Sequence, residues 1–399
     1  MVVRYGNGQV KEKMSDIEKK WMDQLVKHKD LLFFVIISIL GMVMRQQGRD
    51  FISADMRDFL IPWYDSIKAQ GGLRSLKEQV GDYNLLYQTL VAFMTYLPGS
   101  CVQYYKALSI VFDYWLAFAS ALLVARLSGE ACFHRKFQMA YAVVLLLPTV
   151  VLNSVYWGQC DSIYTTFLVL TLLFFYEEKY ISGFVMLGMG FACKLQTVFI
   201  LPFLLGLYFY KKNFSLSGFL ASLAVFWGSG IVAFLCGRSV MAPFTIYLDQ
   251  TGLYQKMYLN VSSFWAILNG VDYAELGTFA VILAVALCGM ELYQVMSGKV
   301  RIDTGEAFIK TAAGFLWTCI LFLPAMHERY TYPLDILLIL LVFLDRRYWK
   351  YAAVSVLLSL MTYGNYLFGS GSVNQWNGVI YVVTWISFMS TIDTSCVKK

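Results

Sequence analysis

Hydrophobic residues come in long runs that are separated by short polar segments. A helix that spans a bilayer needs about 20 mostly apolar residues, and runs of nearly that length recur along the whole sequence. The candidate runs are 30–45, 83–99, 103–125, 137–153, 162–176, 181–193, 196–210, 215–235, 276–296, 308–323, 332–345, 351–368 and 379–391. This pattern predicts an all-α polytopic membrane protein with about 11–13 transmembrane helices and no separate soluble domain.

Composition strengthens that interpretation. Of the 399 residues, 58% are hydrophobic and 15% are charged, whereas soluble domains have about a quarter of their residues charged. The formal net charge of +6 comes from short basic clusters between apolar runs, so we expect no nucleic-acid partner. The eight cysteines show no paired spacing, which indicates neither a disulfide framework nor a zinc site.

The basic clusters predict the orientation of the chain, because cytoplasmic loops of membrane proteins are enriched in Lys and Arg. The clusters are Lys11, Lys13, Lys19, Lys20 and Lys27; Arg126, Arg135 and Lys136; Lys211 and Lys212; Lys299 and Arg301; Arg346, Arg347 and Lys350; and Lys398 and Lys399. Placing them all inside predicts a cytoplasmic tail at 1–29, one transmembrane domain at 30–393 and a cytoplasmic C-terminus at 394–399. The first extracytoplasmic loop is then 46–82. Two apolar runs lie between that loop and Arg126, where alternation permits only one crossing, so one of them must be re-entrant, interfacial or misassigned.

Unusual polar residues gather in four segments that this topology places on the extracytoplasmic side. The first loop contains Asp55 and Asp58 among aromatic residues, a pattern also typical of a solvated interfacial helix. The other three segments are 153–161, 194–196 and 323–333. Lys194 alone could simply extend its amine to water, and 323–333 alone could be an ordinary loop bounded by prolines.

Taken together, the four segments offer the groups needed to move a sugar off a phosphate. Carboxylates and aromatic faces suit sugars, whereas Lys and Arg suit phosphate. The carboxylates are Asp55, Asp58, Asp161 and Glu328, the cations Lys194 and Arg329, the imidazole His327 and the aromatic platforms Trp63, Tyr83, Trp157 and Tyr330.

At these residues the sequence resembles the integral-membrane GT-C glycosyltransferases, and most closely the bacterial relatives of the second mannosyltransferase of GPI-anchor synthesis. The matching segments are Ser53-Ala54-Asp55, Leu60-Ile61-Pro62-Trp63-Tyr64, Gly71-Gly72, Gly81-Asp82-Tyr83-Asn84, Trp157-Gly158-Gln159-Cys160-Asp161-Ser162, Lys194-Leu195-Gln196 with Pro202, and Met326-His327-Glu328-Arg329-Tyr330. The resemblance covers about residues 30–370. It departs at Met56, where many relatives carry an aromatic residue.

The resemblance implies a GT-C-type helical bundle with a large first extracytoplasmic loop that carries the essential acid. It also implies an inverting transfer of a hexose, mannose- or glucose-like, from a polyprenyl-phosphate donor to an extracytoplasmic glycan or lipid-linked acceptor. Asp55 best matches the family's loop aspartate, and Asp58, one helical turn away, is the alternative.

Such a transfer needs one carboxylate to take the proton of the acceptor hydroxyl. We assign that role to Asp55, with His327 orienting it or tuning its pKa. We expect Lys194 and Arg329 to bind the departing phosphate. The predicted sugar- or acceptor-binding residues are Trp157, Gln159, Asp161, Tyr83, Asn84 and Glu328. No cofactor is required, although Asp55, Asp161 and Glu328 could hold a divalent metal.

Two other classes of membrane protein remain alternatives. A transporter or lipid flippase would use charges near the bilayer midplane at broken helices, often within internal repeats, and no repeat is visible. A polysaccharide polymerase or ligase would carry a large late outer loop, whereas here the largest polar outer loop comes first.

Overall fold

The computed structural model describes residues 2–4, 10–12, 14–268, 270–371 and 374–393, and this part of the chain is almost entirely helical. The α-helices are α1 Asp16–Lys27, α2 Lys29–Gln46, α3 Ile61–Ala69, α4 Leu85–Met94, α5 Cys101–Leu127, α6 Arg135–Leu146, α7 Pro148–Val151, α8 Asp161–Tyr176, α9 Tyr180–Cys193, α10 Leu201–Lys211, α11 Phe219–Gly228, α12 Ile231–Leu235, α13 Ala242–Leu253, α14 Phe264–Ile267, α15 Tyr273–Met296, α16 Gly305–Phe322, α17 Tyr332–Leu344, α18 Trp349–Phe368 and α19 Gln375–Asp393. The predicted all-α class is therefore confirmed. The predicted C-terminus at 394–399, with Lys398 and Lys399, lies outside the described residues, as does Lys13.

The remaining regular elements are short. Tighter 3₁₀ turns cover Gly72–Lys77, Leu195–Ile200, Leu216–Gly218 and Arg346–Tyr348, and wider π-helical turns cover Met56–Leu60 and Leu152–Trp157. Strands β1 Val2–Arg4 and β2 Val10–Glu12 pair antiparallel. Strands β3 Tyr258–Leu259 and β4 Met326–His327 pair parallel.

Four of the described helices are long and apolar enough to cross a membrane, judged by length and composition: Cys101–Leu127, Tyr273–Met296, Gly305–Phe322 and Arg346–Phe368. A fifth span is possible if Arg135–Leu146 and Pro148–Trp157, which meet at a 47° bend, count as one. Pro148 explains the bend, because proline has no N–H for the helical ladder. Six further apolar helices have between 10 and 17 residues.

Helix α4 is the regular element in the first of the two apolar runs between the first loop and Arg126. It has 10 residues, so it is about 15 Å long, half the thickness of a hydrocarbon core. Helix α5 has 27 residues and is easily long enough. Of the two apolar runs in this region, only the one that contains α5 therefore has the length of a span.

The core is centred on α16 and α17, which are apolar on nearly every face. Phe315, Trp317 and Leu337 are fully buried among α10, α15, α18 and α19. A helix that is hydrophobic all round belongs inside a bundle.

The loops at one end of the bundle bind each other through charged and polar pairs. The pairs are Arg126–Glu177 (2.9 Å), Lys211–Glu178 (3.1 Å) and Tyr348–Glu306 (2.8 Å). The first two pairs join the segment after α8 to the ends of α5 and α10, and the third joins the turn before α18 to the start of α16, so the predicted inner loops meet at one end. The polar segments 153–161, 194–196 and 323–333 lie at the opposite ends of these helices.

Candidate functional site

The four polar segments converge on one cavity of about 730 Å³. Asp55 from the first loop, Gln159, Lys194 and the segment 327–330 all line it, although they are separated by up to 275 positions in sequence. Tyr366, near the end of α18, completes this group of lining residues. The joint pattern read from the sequence thus corresponds to a single site.

Asp55 is held by donors on both carboxylate oxygens. Its Oδ2 accepts hydrogen bonds from Trp157 Nε1 at 2.8 Å and Gln159 Nε2 at 2.6 Å, and Arg329 Nη2 lies 3.5 Å away. Its Oδ1 accepts a hydrogen bond from the hydroxyl of Tyr366. A carboxylate oxygen has two lone pairs, so Oδ1 keeps one lone pair for a further donor. The side chain is 14% exposed, which allows such a donor to approach from the cavity.

The backbone before Asp55 is fixed by a buried lysine and a serine. Lys106 on α5 donates to the carbonyl oxygens of Gly48, Arg49 and Phe51 at 2.7, 3.0 and 2.5 Å. Ser53 Oγ donates to the Trp157 carbonyl at 2.8 Å and accepts from the Met56 N–H at 3.1 Å. These contacts join the first loop to the turn that supplies Trp157 and Gln159.

That turn depends on Gly158. Its φ of 76° lies in the left-handed region, and a Cβ built at this position would stand 2.8 Å from Met56 Sδ. Any larger residue would therefore be both strained and crowded. Met56, the departure from the family pattern, is fully buried beneath the turn and does not line the cavity.

Behind Asp55 lies an ion cluster in which two cations, Lys194 and Arg329, meet the carboxylate of Asp161. Asp161 is fully buried and pairs with Lys194. Arg329 Nη1 bridges Asp161 Oδ2 at 3.3 Å and Gln159 Oε1 at 2.9 Å. The guanidinium also lies over the Trp157 ring, 5.2 Å from its centroid. Both cations are therefore already partnered by carboxylates, while Lys194 and Arg329 still reach the cavity wall.

The neighbouring residues His327 and Glu328 sit in a low-polarity environment. Burial lowers the pKa of His327 to about 3, with help from the charges of Arg329 and Lys194. Burial also raises the pKa of Glu328 to about 7, against the opposing effect of Arg329. At neutral pH the imidazole is therefore uncharged, and Glu328 lies close to the midpoint of its titration.

His327 is not placed to orient Asp55 by a hydrogen bond, and its predicted tuning of that carboxylate stays a prediction. It packs edge-on against Tyr254, with ring centroids 4.5 Å apart, and its Nδ1 is 4.0 Å from Glu328 Oε2. Asp55 is oriented instead by Trp157, Gln159, Tyr366 and Arg329. Tyr366 was missed because nothing in the sequence around 366 distinguishes this tyrosine from others at the ends of apolar runs.

The segment 254–260 forms one wall of the cavity, and no pattern in the sequence singles it out. Strand β3 pairs with β4, and Ala325 N–H donates to the carbonyls of Lys256 at 3.1 Å and Met257 at 3.2 Å. Tyr254 and Lys256 line the cavity. Among the described residues, no carboxylate forms a salt bridge with the exposed Lys256.

The alternative base and two of the predicted sugar-binding residues need correction. Asp58 does not line the cavity, because its half-exposed carboxylate pairs with Arg57 at 2.8 Å. Trp157 and Asp161 are fully buried, so they support Asp55 and the cations from behind and cannot bind a sugar directly in this arrangement.

The other predicted residues reach the cavity. Tyr83 lines it and donates to Gln159 Oε1 at 2.7 Å. Asn84 also lines it, yet its amide is used structurally: Nδ2 donates to Pro243 O at 2.9 Å and Oδ1 caps α4 at Leu85. Glu328 lines the cavity with little exposed surface.

Among the residues that the structure describes, no group of three or more His, Cys, Asp or Glu side chains is placed to hold a metal ion. The three carboxylates considered from the sequence as metal ligands lie around Arg329 on different sides: Asp55, Asp161 and Glu328. They converge on a cation that is already present.

Comparison with known proteins adds no family. The sequence matches no model of a known protein family. A search of curated proteins also gives no significant match. The GT-C resemblance therefore stays a prediction.

Proposed function

We propose that the chain is a multi-pass cell-membrane glycosyltransferase, a GT-C-type bundle with its active site on the extracytoplasmic face. It would move a hexose, with inversion, from a polyprenyl-phosphate donor to a glycan or glycolipid acceptor. The observation that carries this proposal is Asp55: a carboxylate with a free lone pair at the wall of a cavity, with two cations close behind it.

The proposed reaction follows from that geometry. The acceptor hydroxyl oxygen attacks the anomeric carbon of the sugar on the face opposite the phosphate, and the bond from that carbon to the phosphate oxygen breaks. The hydroxyl proton passes to Asp55 Oδ1, and the electron pair of the broken bond stays with the lipid phosphate. One carboxylate acting as a base and direct displacement together give inversion.

The leaving phosphate gains negative charge as the bond breaks, so it needs positive charge nearby. Asp161 and Asp55 partly neutralise Lys194 and Arg329. These ion pairs hold the two cations in place but weaken their attraction for a phosphate. Of the cations lining the cavity, Lys256 is the one without a salt bridge among the described residues, so we assign it the first contact with the phosphate. Its amine is exposed and belongs to the segment that pairs with 326–327.

The lining of the cavity, which is partly polar and partly apolar, also suits a lipid-linked sugar. Polar groups around Asp55 face an apolar wall that includes Val198, Phe199, Leu259 and Leu323. A sugar phosphate on a hydrocarbon chain presents the same division between polar head and apolar tail. Four helices with the length of membrane spans support delivery of such a donor from the bilayer.

A transporter for a lipid-linked glycan is the second candidate, because two helical segments are interrupted at the site. The chain between α9 and α10 breaks at Lys194, and α6 and α7 meet at a bend just before the Trp157 turn. Charges at broken helices are typical of transport sites.

The deciding experiment incubates purified, lipid-reconstituted protein with a panel of polyprenyl-phosphate hexoses and short glycan acceptors. A glycosyltransferase releases the lipid phosphate and produces an acceptor one sugar longer. A transporter moves the intact donor across the bilayer and cleaves nothing, and a polymerase or ligase forms products with many sugars. Lys256→Gln should raise the donor KM about tenfold, the usual effect of losing a charge contact, with kcat nearly unchanged; Lys256→Arg is the matched control.

A further inference from the structure

In the part of the chain that the structure describes, the apolar face of the helix that precedes the first predicted span is left uncovered. Helix α1 is well defined at its start, where Ser15 and Glu18 form a reciprocal capping box with hydrogen bonds of 3.2 and 2.6 Å. Such a box fixes a helix end without tertiary contacts. Yet none of the residues of α1 is buried.

The exposed face of α1 is strongly apolar. Ile17, Trp21 and Leu25 follow one another at intervals of four, which places them on one side of the helix. Each is more than half exposed, and Met22 and Val26 extend the same side. A single-helix surface of this kind rarely stays in water.

The opposite face is charged, and the helix as a whole is electrically balanced. The helix carries three basic residues, Lys19, Lys20 and Lys27, and three acidic ones, Asp16, Glu18 and Asp23. All but Glu18 lie outside the apolar side, and Glu18 is bound to the Ser15 N–H in the capping box. Lys19 and Asp16 form an ion pair at 3.2 Å. The helix therefore has no net charge to attract it to an anionic surface, and its apolar face must supply the binding energy.

The apolar face continues into the next helix. Only His28 separates α1 from α2, on which Leu31, Val35, Ile36 and Ile39 are all exposed. Helix α2 has 18 residues, close to the length of a span, whereas α1 has 12 and at about 18 Å is too short to cross a bilayer. A short amphipathic helix joined to an exposed apolar helix fits the boundary between lipid headgroups and acyl chains.

We propose that α1 lies along the bilayer surface, with Ile17, Trp21 and Leu25 inserted among the acyl chains and the charged face in water. The occupant of this face is lipid, and binding depends on apolar area with little contribution from headgroup charge. The proposal rests on the membrane embedding contained in the proposed function. It adds an in-plane anchor at the start of the chain.

The test places one environment-sensitive fluorescent amino acid, by codon reassignment, in the full-length protein in lipid nanodiscs. The probe replaces Leu25 on the apolar face, Asp23 on the charged face, or Ile36 on α2. Lipids brominated on their acyl chains quench only fluorophores that reach them. We expect roughly twofold or greater quenching for the probes at 25 and 36, and none at 23, since an in-plane helix buries its apolar face about 5–10 Å deep. Raising salt or the anionic lipid fraction should leave these values unchanged.

The outcomes are distinct. Quenching at 36 without quenching at 25 overturns the anchor and leaves the membrane embedding intact, whereas no quenching at 36 refutes the embedding itself. A probe at 25 that is shielded from aqueous iodide yet untouched by brominated lipid is covered by protein, such as a second copy, and that also overturns the proposal. Quenching at 25 that needs anionic lipid contradicts the assignment to an uncharged, apolar contact.

Discussion

Replacing Asp55 by Asn isolates the proposed base from the scaffold around it. An asparagine can keep its oxygen toward Trp157 Nε1 and Gln159 Nε2, which donate to Asp55 at 2.8 and 2.6 Å. Its NH₂ then faces Tyr366, whose hydroxyl can rotate to accept a hydrogen bond. The shape and most of the hydrogen bonds of the site therefore survive, and what disappears is the negative charge and the ability to take a proton.

The expected magnitudes differ for activity and stability. Removing a general base usually lowers turnover about 10²–10⁴-fold, which is about 3–5 kcal/mol on the barrier. The folded state loses less, because Arg329 keeps its contacts with Asp161 and Gln159. We expect a destabilisation of about 1.5–3 kcal/mol, the value of one hydrogen bond to a charged group, and a small fall in melting temperature.

The assay measures three quantities on the same reconstituted samples: release of lipid phosphate, donor binding and thermal melting. Asp58→Asn is the matched control, since it makes the same chemical change three positions away. Asp58 is half exposed and bound to Arg57, and exposed pairs of this kind contribute little, so its turnover should stay within about twofold of the unmodified protein.

Two results would refute the assignment of the base. Undiminished turnover in Asp55→Asn would exclude Asp55, and a loss confined to Asp58→Asn would move the base by one helical turn. If instead Asp55→Asn lost donor binding and melting temperature in proportion to activity, the carboxylate would only hold the loop to the bundle.

Three further predictions concern other parts of the molecule. Tyr366→Phe removes the donor on Asp55 Oδ1 and should lower kcat about tenfold with the donor KM nearly unchanged, as for a positioning contact made in the transition state; equal loss in both parameters would contradict this. Glu328 binds its proton more tightly when folded, with a pKa of about 7 against a reference value of 4.5, so its own contribution to the free energy of unfolding should fall by about 3 kcal/mol as pH rises from 4.5 to 7. His327, with a pKa lowered from 6.5 to about 3, contributes in the opposite direction as pH rises from 3 to 6.5. Glu328→Gln should therefore make the melting temperature rise more steeply with pH between 4.5 and 7 than in the unmodified protein, and an unchanged slope would show that other groups cause it. For topology, Gln70→Cys should react with an impermeant thiol reagent in intact cells above the background of native cysteines, whereas Ser297→Cys should react only after permeabilisation; the reverse pattern would invert the orientation.

The sequence by itself determined the helical class and most element positions. Apolar runs of near-spanning length favour helices, because a helix satisfies its own backbone hydrogen bonds. Each predicted run from 30–45 to 379–391 contains a helix in the structure. The run 83–99 was misleading because hydropathy does not report where a helix ends. The chain stops being helical at Met94, six residues before α5 begins.

The sequence also selected most of the candidate site. Asp55, Gln159, Lys194 and Arg329 were chosen because polar side chains are costly among apolar runs and gather where they have a purpose, and the structure brings all four together. That argument uses only residue type and the side of the membrane, both of which are local properties of the chain.

Tertiary structure alone decided which atoms meet. Nothing in the sequence distinguishes Trp157 supporting Asp55 from Trp157 contacting a sugar, since both arrangements need the same residue at the same turn. Tyr366 and Lys256 joined the site through the packing of α18 and the pairing of β3 with β4, which are contacts between distant segments. Whether a carboxylate is a base, like Asp55, or a buried counterion, like Asp161, depends on its partners and its access to the cavity, and those are set only when the helices pack.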